Sequence, residues 1–521
     1  MQKLLYGFIL CENKDIMKIT NVHIENYRSI KNVDIKIHDI IALIGENNAG
    51  KSNIMSAINL FFSDQSPQLD DFYTKNDNLE IKIEIKFQKF NNNEATSLSE
   101  YIKNDTAIFQ KRFYYKDGKS KSEITSQYYK DSSSIIKAAE WKHILHENLP
   151  DVIYIPAVLD ATKESENTST TLFGKIFSKY LEENKEINQS FNDILSGETF
   201  KNMIDKITTD FNNNIKQYID ANINISPLGD IKNALSKSIG INLNDGIETD
   251  IKYKGNGLQR IVIFALFNLY YDVVPKNGNS RSFIFLIEEP EIYMHPQMQR
   301  SMLKQFKKTS SEFQIIFSTH SSNFIDIFDY QDIIIVRKNQ NSSYINQIQQ
   351  KIFDKDEKED FNKLLKFDNS VNDLFFAKKV ILVEGPTDSI VLKLFSEYCN
   401  IDLDALDISI TICGGKGEIK SYQKILNEFD INYAVVFDDD INDKNRNSVE
   451  KLNKDIMDLC KGKKHWCFSP DLETELEIPS VSSKHKPYTA YTFFKDGKKF
   501  DELKEESKNK LVEIMDWIKS E

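Results

Sequence analysis

Thirteen residues, Ile40-Ile-Ala-Leu-Ile-Gly-Glu-Asn-Asn-Ala-Gly-Lys-Ser52, constrain this chain more than any other stretch. Ile40 to Ile44 is a short apolar run of the kind a central parallel strand needs. Gly45 and Gly50 free the backbone to curl its N–H groups around phosphate oxygens, and Asn53 to Phe62 reads as the helix that follows. The pattern predicts that Lys51 reaches the terminal phosphates of a nucleotide and that Ser52 ligates a magnesium ion. Asn47, Asn48 and Asn53 fill out the loop, and the anion sits at the positive end of the new helix.

A loop that holds phosphates needs acids to manage the metal and the attacking water. Phe283-Ile-Phe-Leu-Ile-Glu-Glu289 supplies a buried strand ending in two carboxylates, with Glu288 expected to hold the magnesium through water and Glu289 to polarise the nucleophile. Gln314 to Ser318 is another buried strand, and it leads into His320, placed to sense the γ-phosphate. A strand-end histidine taken alone is more often structural; behind a phosphate loop and an acid-tipped strand the functional reading is preferred. Lys254-Gly-Asn-Gly-Leu-Gln-Arg260 opens a strongly apolar helix, Ile261 to Tyr271.

Elsewhere Glu80 to Phe87 alternates apolar and charged residues, as a half-exposed strand does, and strand-like runs recur from Lys18, at Ile108 to Tyr115 and at Val152 to Ile155. From about Thr170 to Ser238 apolar residues recur at helical spacing with few strand signals, which reads as a helical insertion suited to dimerisation or as a solvated hairpin. Residues 341–377 read as a charged, helical connector. The formal charge of −12 excludes a protein coated in basic surface, so nucleic acid would have to be held by local patches or through metal ions. Five cysteines without C-x-x-C spacing suggest a reducing cytoplasm and no structural zinc. No stretch approaches the ~20 apolar residues of a membrane helix. Leu4 to Leu10 is apolar but lacks a small-residue cleavage site, and residues 1–16 read as an extension upstream of a domain starting at Met17.

A second chemical centre follows. Val380-Ile-Leu-Val-Glu384 is a buried strand with an acid at its tip, and Asp388 can cap the next helix. Ile408 to Ile412 is a strand leading into Gly414-Gly-Lys-Gly417, and Tyr433 to Asp440 is a third, ending in three carboxylates. Such strands set Glu384, Asp438 and Asp440 side by side on one sheet edge, where so much like charge is costly unless cations neutralise it. Oxygen-only ligands select hard ions, magnesium or manganese, and a pair of them clamps the oxygens of a phosphodiester. Asp438 to Asp440 alone would read as a solvated loop; joined to Glu384 behind a matching strand, they read as metal ligands.

The first set of motifs resembles the ABC-type ATPase heads of the RecF and SMC group, and the second resembles a Toprim domain. Together they resemble the OLD family of ATP-dependent nucleases, a class that includes the nuclease subunit of the Gabija antiphage system and retron-associated effectors. The resemblance implies ATP and Mg²⁺ or Mn²⁺ as cofactors, DNA as substrate, a homodimer or higher oligomer, and a helicase-like or retron partner in antiviral defence. It also implies that Asp388 is a second early metal ligand, that Glu473 in Asp471-Leu-Glu473 serves the second metal, and that Lys486 stabilises the phosphate in flight. Three departures stand out: Glu288 stands where aspartate is commoner, Gly255-Asn-Gly257 lacks the signature serine, and Leu159 stands where arginine is frequent. The expected fold is α/β: extension 1–16, ATPase 17–165 and 241–340 around a helical insertion 166–240, connector 341–377 and Toprim domain 378–521. A RecF-like, ATP-gated DNA clamp with an inert Toprim part is the alternative.

Overall fold

A computed structural model of the protein describes residues 16–130, 134–157, 173, 198–227, 239–273, 282–354, 369–440 and 446–520. The N-terminal part begins with β1 (Lys18–Tyr27), β2 (Ile30–Lys36), β3 (Ile40–Ile44) and α1 (Lys51–Phe62), then β4 (Ile81–Gln88), β5 (Thr106–Lys116), β6 (Lys119–Ser126) and β7 (Asp151–Ile155). Next come α2 (Glu198–Ile215), β8 (Asn222–Pro227), β9 (Ile239–Asn244), β10 (Glu248–Asp250) and α3 (Asn256–Val273). The series continues with β11 (Phe283–Glu288), α4 (Pro296–Thr309), β12 (Gln314–Ser318), β13 (Ile333–Asn339) and β14 (Ser342–Gln347).

Eleven of these strands form one mixed sheet in the order β6-β5-β4-β1-β2-β14-β13-β3-β12-β11-β7. Its two halves follow from two residue patterns. In β4, Ile81, Ile83, Ile85 and Phe87 are fully buried while the residues between them are half-exposed, and β4 pairs antiparallel with β1 and β5. In β11 and β12 every residue is buried, as suits strands covered on both faces, and β11 runs parallel to β12 and β7. Helix α1 buries Ile54, Met55, Ile58 and Phe61. Its C-terminal carbonyls are met by Lys111 of β5, whose buried ammonium lies 3.2, 3.3 and 2.7 Å from the oxygens of Leu60, Phe61 and Ser63.

Two expectations of helix give way to strand. The segment read as a helical insertion holds α2 but also β8, which pairs antiparallel with β9, itself paired with β10. Asn222-Ile-Asn-Ile225 and Ile241-Asn-Leu243 alternate strictly; the flanking asparagines mask a two-residue period within an otherwise helical texture. Residues 158–172 and 174–197, Leu159 among them, lie outside the described residues. The connector read as helical opens with β14, which rejoins the large sheet beside β2 through Ser343 and Ile30.

The C-terminal part contains β15 (Lys379–Val383), α5 (Pro386–Tyr398), β16 (Ile408–Ile412), α6 (Lys416–Glu428), β17 (Asn432–Asp438), α7 (Arg446–Leu459) and β18 (His465–Phe468). The four strands form a parallel sheet in the order β16-β15-β17-β18. Helices α8 (Leu472–Glu475), α9 (Lys486–Phe494) and α10 (Glu505–Lys519) close its core, sending Leu472, Ala490, Phe494, Leu511 and Ile514 against Val391 and Phe395 of α5. By Cα proximity the chain divides into two compact units. One is Met1–Ala42, Gly50–Thr319 and Asn339–Ser343; the other is Leu43–Ala49, His320–Lys338 and Tyr344–Glu521.

Candidate metal centre and nucleotide loop

The loop after β3 needs glycine at two positions. Gly45 has φ +137°, and a Cβ there would lie 2.1 Å from the Val336 carbonyl oxygen; Gly50 has φ +115°, with Ser343 Oγ 2.3 Å from its would-be Cβ. Asn48 carries the left-handed turn between them at φ 62°. Asn47, Asn48 and Ser52 are exposed, whereas Lys51, the first residue of α1, is buried. Asn53 is engaged already: its amide donates to Ser29 Oγ at 2.7 Å and its oxygen accepts from Arg28 at 3.5 Å, which ties the helix start to the turn between β1 and β2.

Glu288, at the end of β11, is buried with both oxygens occupied. Oε1 accepts from the Tyr154 hydroxyl at 2.9 Å and Oε2 from the Ala157 amide at 3.1 Å. Burial and then the Glu288 charge push the Tyr154 phenol well above its ordinary value, so it stays a donor. Arg260, in the first turns of α3, donates to the carbonyls of Ala157 and Pro156, so the Gly255-Asn-Gly helix and Glu288 share one backbone segment. Sequence reasoning missed Tyr154 because nothing in Val152 to Ile155 marks which side chain meets the acid four strands later in the chain. Glu289 turns into the left-handed region at φ 42°, its amide held 2.9 Å from the Ser318 carbonyl. His320 is exposed just after β12, on the wall of a cleft of about 580 Å³ shared with Ser322, Asp373 and Lys393.

In the C-terminal unit the predicted acids do come together at one sheet edge. Glu384 follows β15, and its Oε1 accepts the Asp438 amide at 2.9 Å. Asp438 ends β17, and its Oδ1 accepts the Leu472 amide at 2.9 Å. Asp388, in the first turn of α5, receives the Gly385 amide on Oδ2 at 2.8 Å, which closes the helix start as expected. Each of these carboxylates thus has one oxygen fixed by a backbone amide.

Burial is the first cause of their shifted acidity; mutual repulsion adds to it, while the backbone amides they accept oppose it. Glu384 is raised to about 7, by burial and the charges of Asp388 and Asp440. Asp388 is raised to about 6, by burial and Glu473, and Asp438 to about 9, by burial, Asp388 and Glu384. Two lysines answer part of this charge. Lys486 Nζ lies 3.0 Å from Glu473 Oε1; burial alone would lower its pKa, but Glu473 outweighs it and the net shift is upward. Lys416 Nζ donates to the Asp438 carbonyl and lies 2.9 Å from Asp440 Oδ2. The Gly414 to Gly417 loop had signalled that lysine's presence, though not its ammonium's place between two acids.

Among the described residues no three carboxylate, imidazole or thiol groups converge on one point tightly enough to grip an ion as they stand. The donor chemistry nevertheless fits a hard divalent cation, because it is all oxygen, partly buried and mutually repulsive. Glu384, Asp388, Asp438, Asp440 and Glu473 are the residues that would hold it.

Residues 17–325 match the AAA ATPase domain family, and residues 375–440 match the TOPRIM domain described as Overcoming lysogenization defect protein-like. The second match contains Glu384, Asp388, Lys416, Asp438 and Asp440 and stops before Glu473 and Lys486. The chain is 26% identical to the Old nuclease of Escherichia phage P2 over 465 residues, 81% of this chain and 77% of that protein. It is 24% identical to the OLD nuclease of Thermus scotoductus over 518 residues, 90% of this chain and 93% of that protein. With Endonuclease GajA of Bacillus cereus the figure is 24% over 504 residues, 86% and 82% of the two chains.

Proposed function

We propose, on the premise that the chain belongs to the AAA ATPase domain family and joins to it an OLD-like Toprim domain, that this protein is an ATP-regulated, divalent-metal-dependent DNA endonuclease. The observation that carries the reading is the gathering of Glu384, Asp388 and Asp438 near one sheet edge, each fixed by a backbone amide and each raised in pKa first by burial and then by acidic neighbours. Acids held this way are costly to an empty fold and useful to a loaded one.

Bound Mg²⁺ or Mn²⁺ would supply the positive charge that satisfies the five acids and polarises a DNA phosphodiester. Glu384, with Oε1 on the Asp438 amide and a pKa raised to about 7, keeps Oε2 to accept the proton of the attacking water. A water oxygen then joins the phosphorus, one backbone P–O bond breaks, and the departing sugar oxygen takes a proton from solvent to leave as a hydroxyl. Lys486 offsets the charge that develops on the phosphate, exchanging Glu473 for it. ATP would be held by the Gly45 to Ser52 loop; Glu288 would serve its magnesium, Glu289 the attacking water and His320 the γ-phosphate, and the bound nucleotide would regulate the second centre.

The reading extends to a cytoplasmic homodimer or higher oligomer assembled through residues 166–240, acting in antiphage defence with or without a helicase-like or retron partner. No helix of the described residues is long and apolar enough to cross a membrane. The test is a nicking assay: supercoiled plasmid with purified protein, magnesium or manganese, with and without ATP, beside Glu384→Gln. Wild type should relax or linearise the plasmid and the variant should not. Plasmid left intact in every wild-type arm would refute the proposal, and equal cutting by the variant would remove Glu384 from the reaction.

A further inference from the structure

Beyond the acids the chain turns basic. Val481 to Phe500 holds five lysines, Lys484, Lys486, Lys495, Lys498 and Lys499, against one acid, Asp496, in a chain whose formal charge is −12. Lys486 and Lys499 pair with Glu473 and Glu502. Lys484, Lys495 and Lys498 are left without an acid among the described residues.

Two exposed aromatic rings stand in this basic stretch. Helix α9 fastens to the core through Ala490 and Phe494, which are fully buried, and its opposite face carries Tyr488 and Tyr491, 70% and 49% exposed. Residues three apart share a helix face, and Lys495, seven after Tyr488, extends the same stripe past the helix end. The helix itself begins beside the candidate metal centre, because Lys486, the first residue of α9, reaches Glu473. Among the described residues Tyr488 is left largely exposed and Tyr491 about half exposed, and the lysines alongside select an anionic occupant.

Rings spaced along a helix and flanked by ammonium groups match what unpaired nucleic acid offers: a π-face on every base and a phosphate between each pair. A continuous duplex hides its base faces in the stack and would use only the lysines. We propose that the outer face of α9, Tyr488 and Tyr491 with Lys484 and Lys495, is a stacking platform for unpaired bases beside the Toprim acids. The substrate class is then DNA with a single-stranded or splayed stretch next to the cut. This inference rests on the nuclease reading for the identity of the neighbouring site, but binding tests it separately from cleavage.

The experiment measures fluorescence anisotropy of the full-length protein in EDTA with labelled DNA probes of about 20 nucleotides: single strand, matching duplex, and duplex with an overhang. Tyr488→Ala and Tyr491→Ala should each weaken single-strand and overhang binding about 10-fold and leave duplex binding within about twofold, while Tyr488→Phe, which keeps the ring, should bind like wild type. Thermal melting establishes that the variants are folded, since neither ring lies in the core. Unchanged single-strand affinity in the double alanine variant, or an equal loss on duplex, overturns the proposal. So does a change in oligomeric mass by light scattering with DNA binding unaltered, which would make this face a contact between copies. Tyrosine-dependent single-strand binding by a protein that cuts no DNA would leave the platform standing and sink the nuclease reading; cutting that ignores both tyrosines would do the reverse.

Discussion

Raising the pH should destabilise the C-terminal unit when no divalent ion is present, and magnesium should erase the effect. Asp438 is lifted from 3.8 to about 9, Glu384 from 4.5 to about 7 and Asp388 from 3.8 to about 6, burial being the first cause in each. A carboxyl whose folded pKa lies above its unfolded one binds more protons in the folded state, so its contribution is whole below the unfolded value and is lost as pH climbs through the folded one. Between pH 6 and 8.5 Asp388 completes its ionisation, Glu384 ionises near the middle, and Asp438 is still being held protonated against its preference in the unfolded chain. At ~1.4 kcal/mol per pH unit, Asp438 alone loses about 3 kcal/mol over that span, and screening of its half-buried carboxyl lowers this toward ~1.5 kcal/mol. For a unit of this size the loss corresponds to a fall of roughly 4–10 °C in melting temperature. Tryptophan fluorescence can follow the unit alone: Trp466 and Trp517 lie within it, and Trp141→Phe removes the third tryptophan of the chain, which lies in the other unit. Melting in EDTA should drop steadily from pH 6 to 8.5, magnesium should add most at the alkaline end, and Asp438→Asn should flatten the EDTA profile. A profile in EDTA that is level or rises with pH, or a magnesium increment equal at both ends, would refute the electrostatic account of these acids.

Three further outcomes follow from particular contacts. Lys416→Met removes the ammonium shared by the Asp438 carbonyl and Asp440, and should cost about 1–3 kcal/mol in EDTA but far less with saturating magnesium, when the ion replaces the lost charge; equal losses by denaturant titration in both conditions would exclude that role. Gly45→Ala places a Cβ 2.1 Å from a backbone oxygen at φ +137° and should abolish binding of a fluorescent ATP analogue, with wild-type affinity the refuting result. Lys111→Met strips the last carbonyls of α1 of their buried donor and should cost about 1–3 kcal/mol; a loss under ~0.5 kcal/mol in urea unfolding would show that water replaces the ammonium.

The parts of this molecule legible in its sequence are those written in local pattern. The phosphate loop, the acid-tipped strands and the alternation of β4 each need only neighbouring residues, and they stand where the spacing puts them. What was hidden depends on partners far along the chain. Tyr154 meets Glu288 across 134 positions and Lys111 reaches α1 across about fifty, neither marked by anything nearby. Strand β18 is four residues long, too short for its alternation of Trp466 and Phe468 to declare itself. The strands β8 and β9 were overruled in sequence by the asparagine-rich, helical texture around them, since polar residues on the outer face of a small sheet carry little signal of their own.

One device recurs in both centres and explains why acids could be found from strand ends alone while their partners could not. Glu288 ends a buried strand and is fixed by the Ala157 amide; Glu384 follows another and is fixed by the Asp438 amide; Asp438 ends a third and is fixed by the Leu472 amide. In each case the strand determines where the carboxylate emerges, which local sequence reveals, and a backbone N–H from a distant segment determines how it is turned, which any residue except proline can supply. Substituting the donor residue's side chain should therefore leave the acid in place, whereas Leu472→Pro, which deletes the amide, should free Asp438 to turn. The acids are chosen by residue type and their orientation by chain path, so a reading of motifs recovers the chemistry of the site before it recovers its geometry.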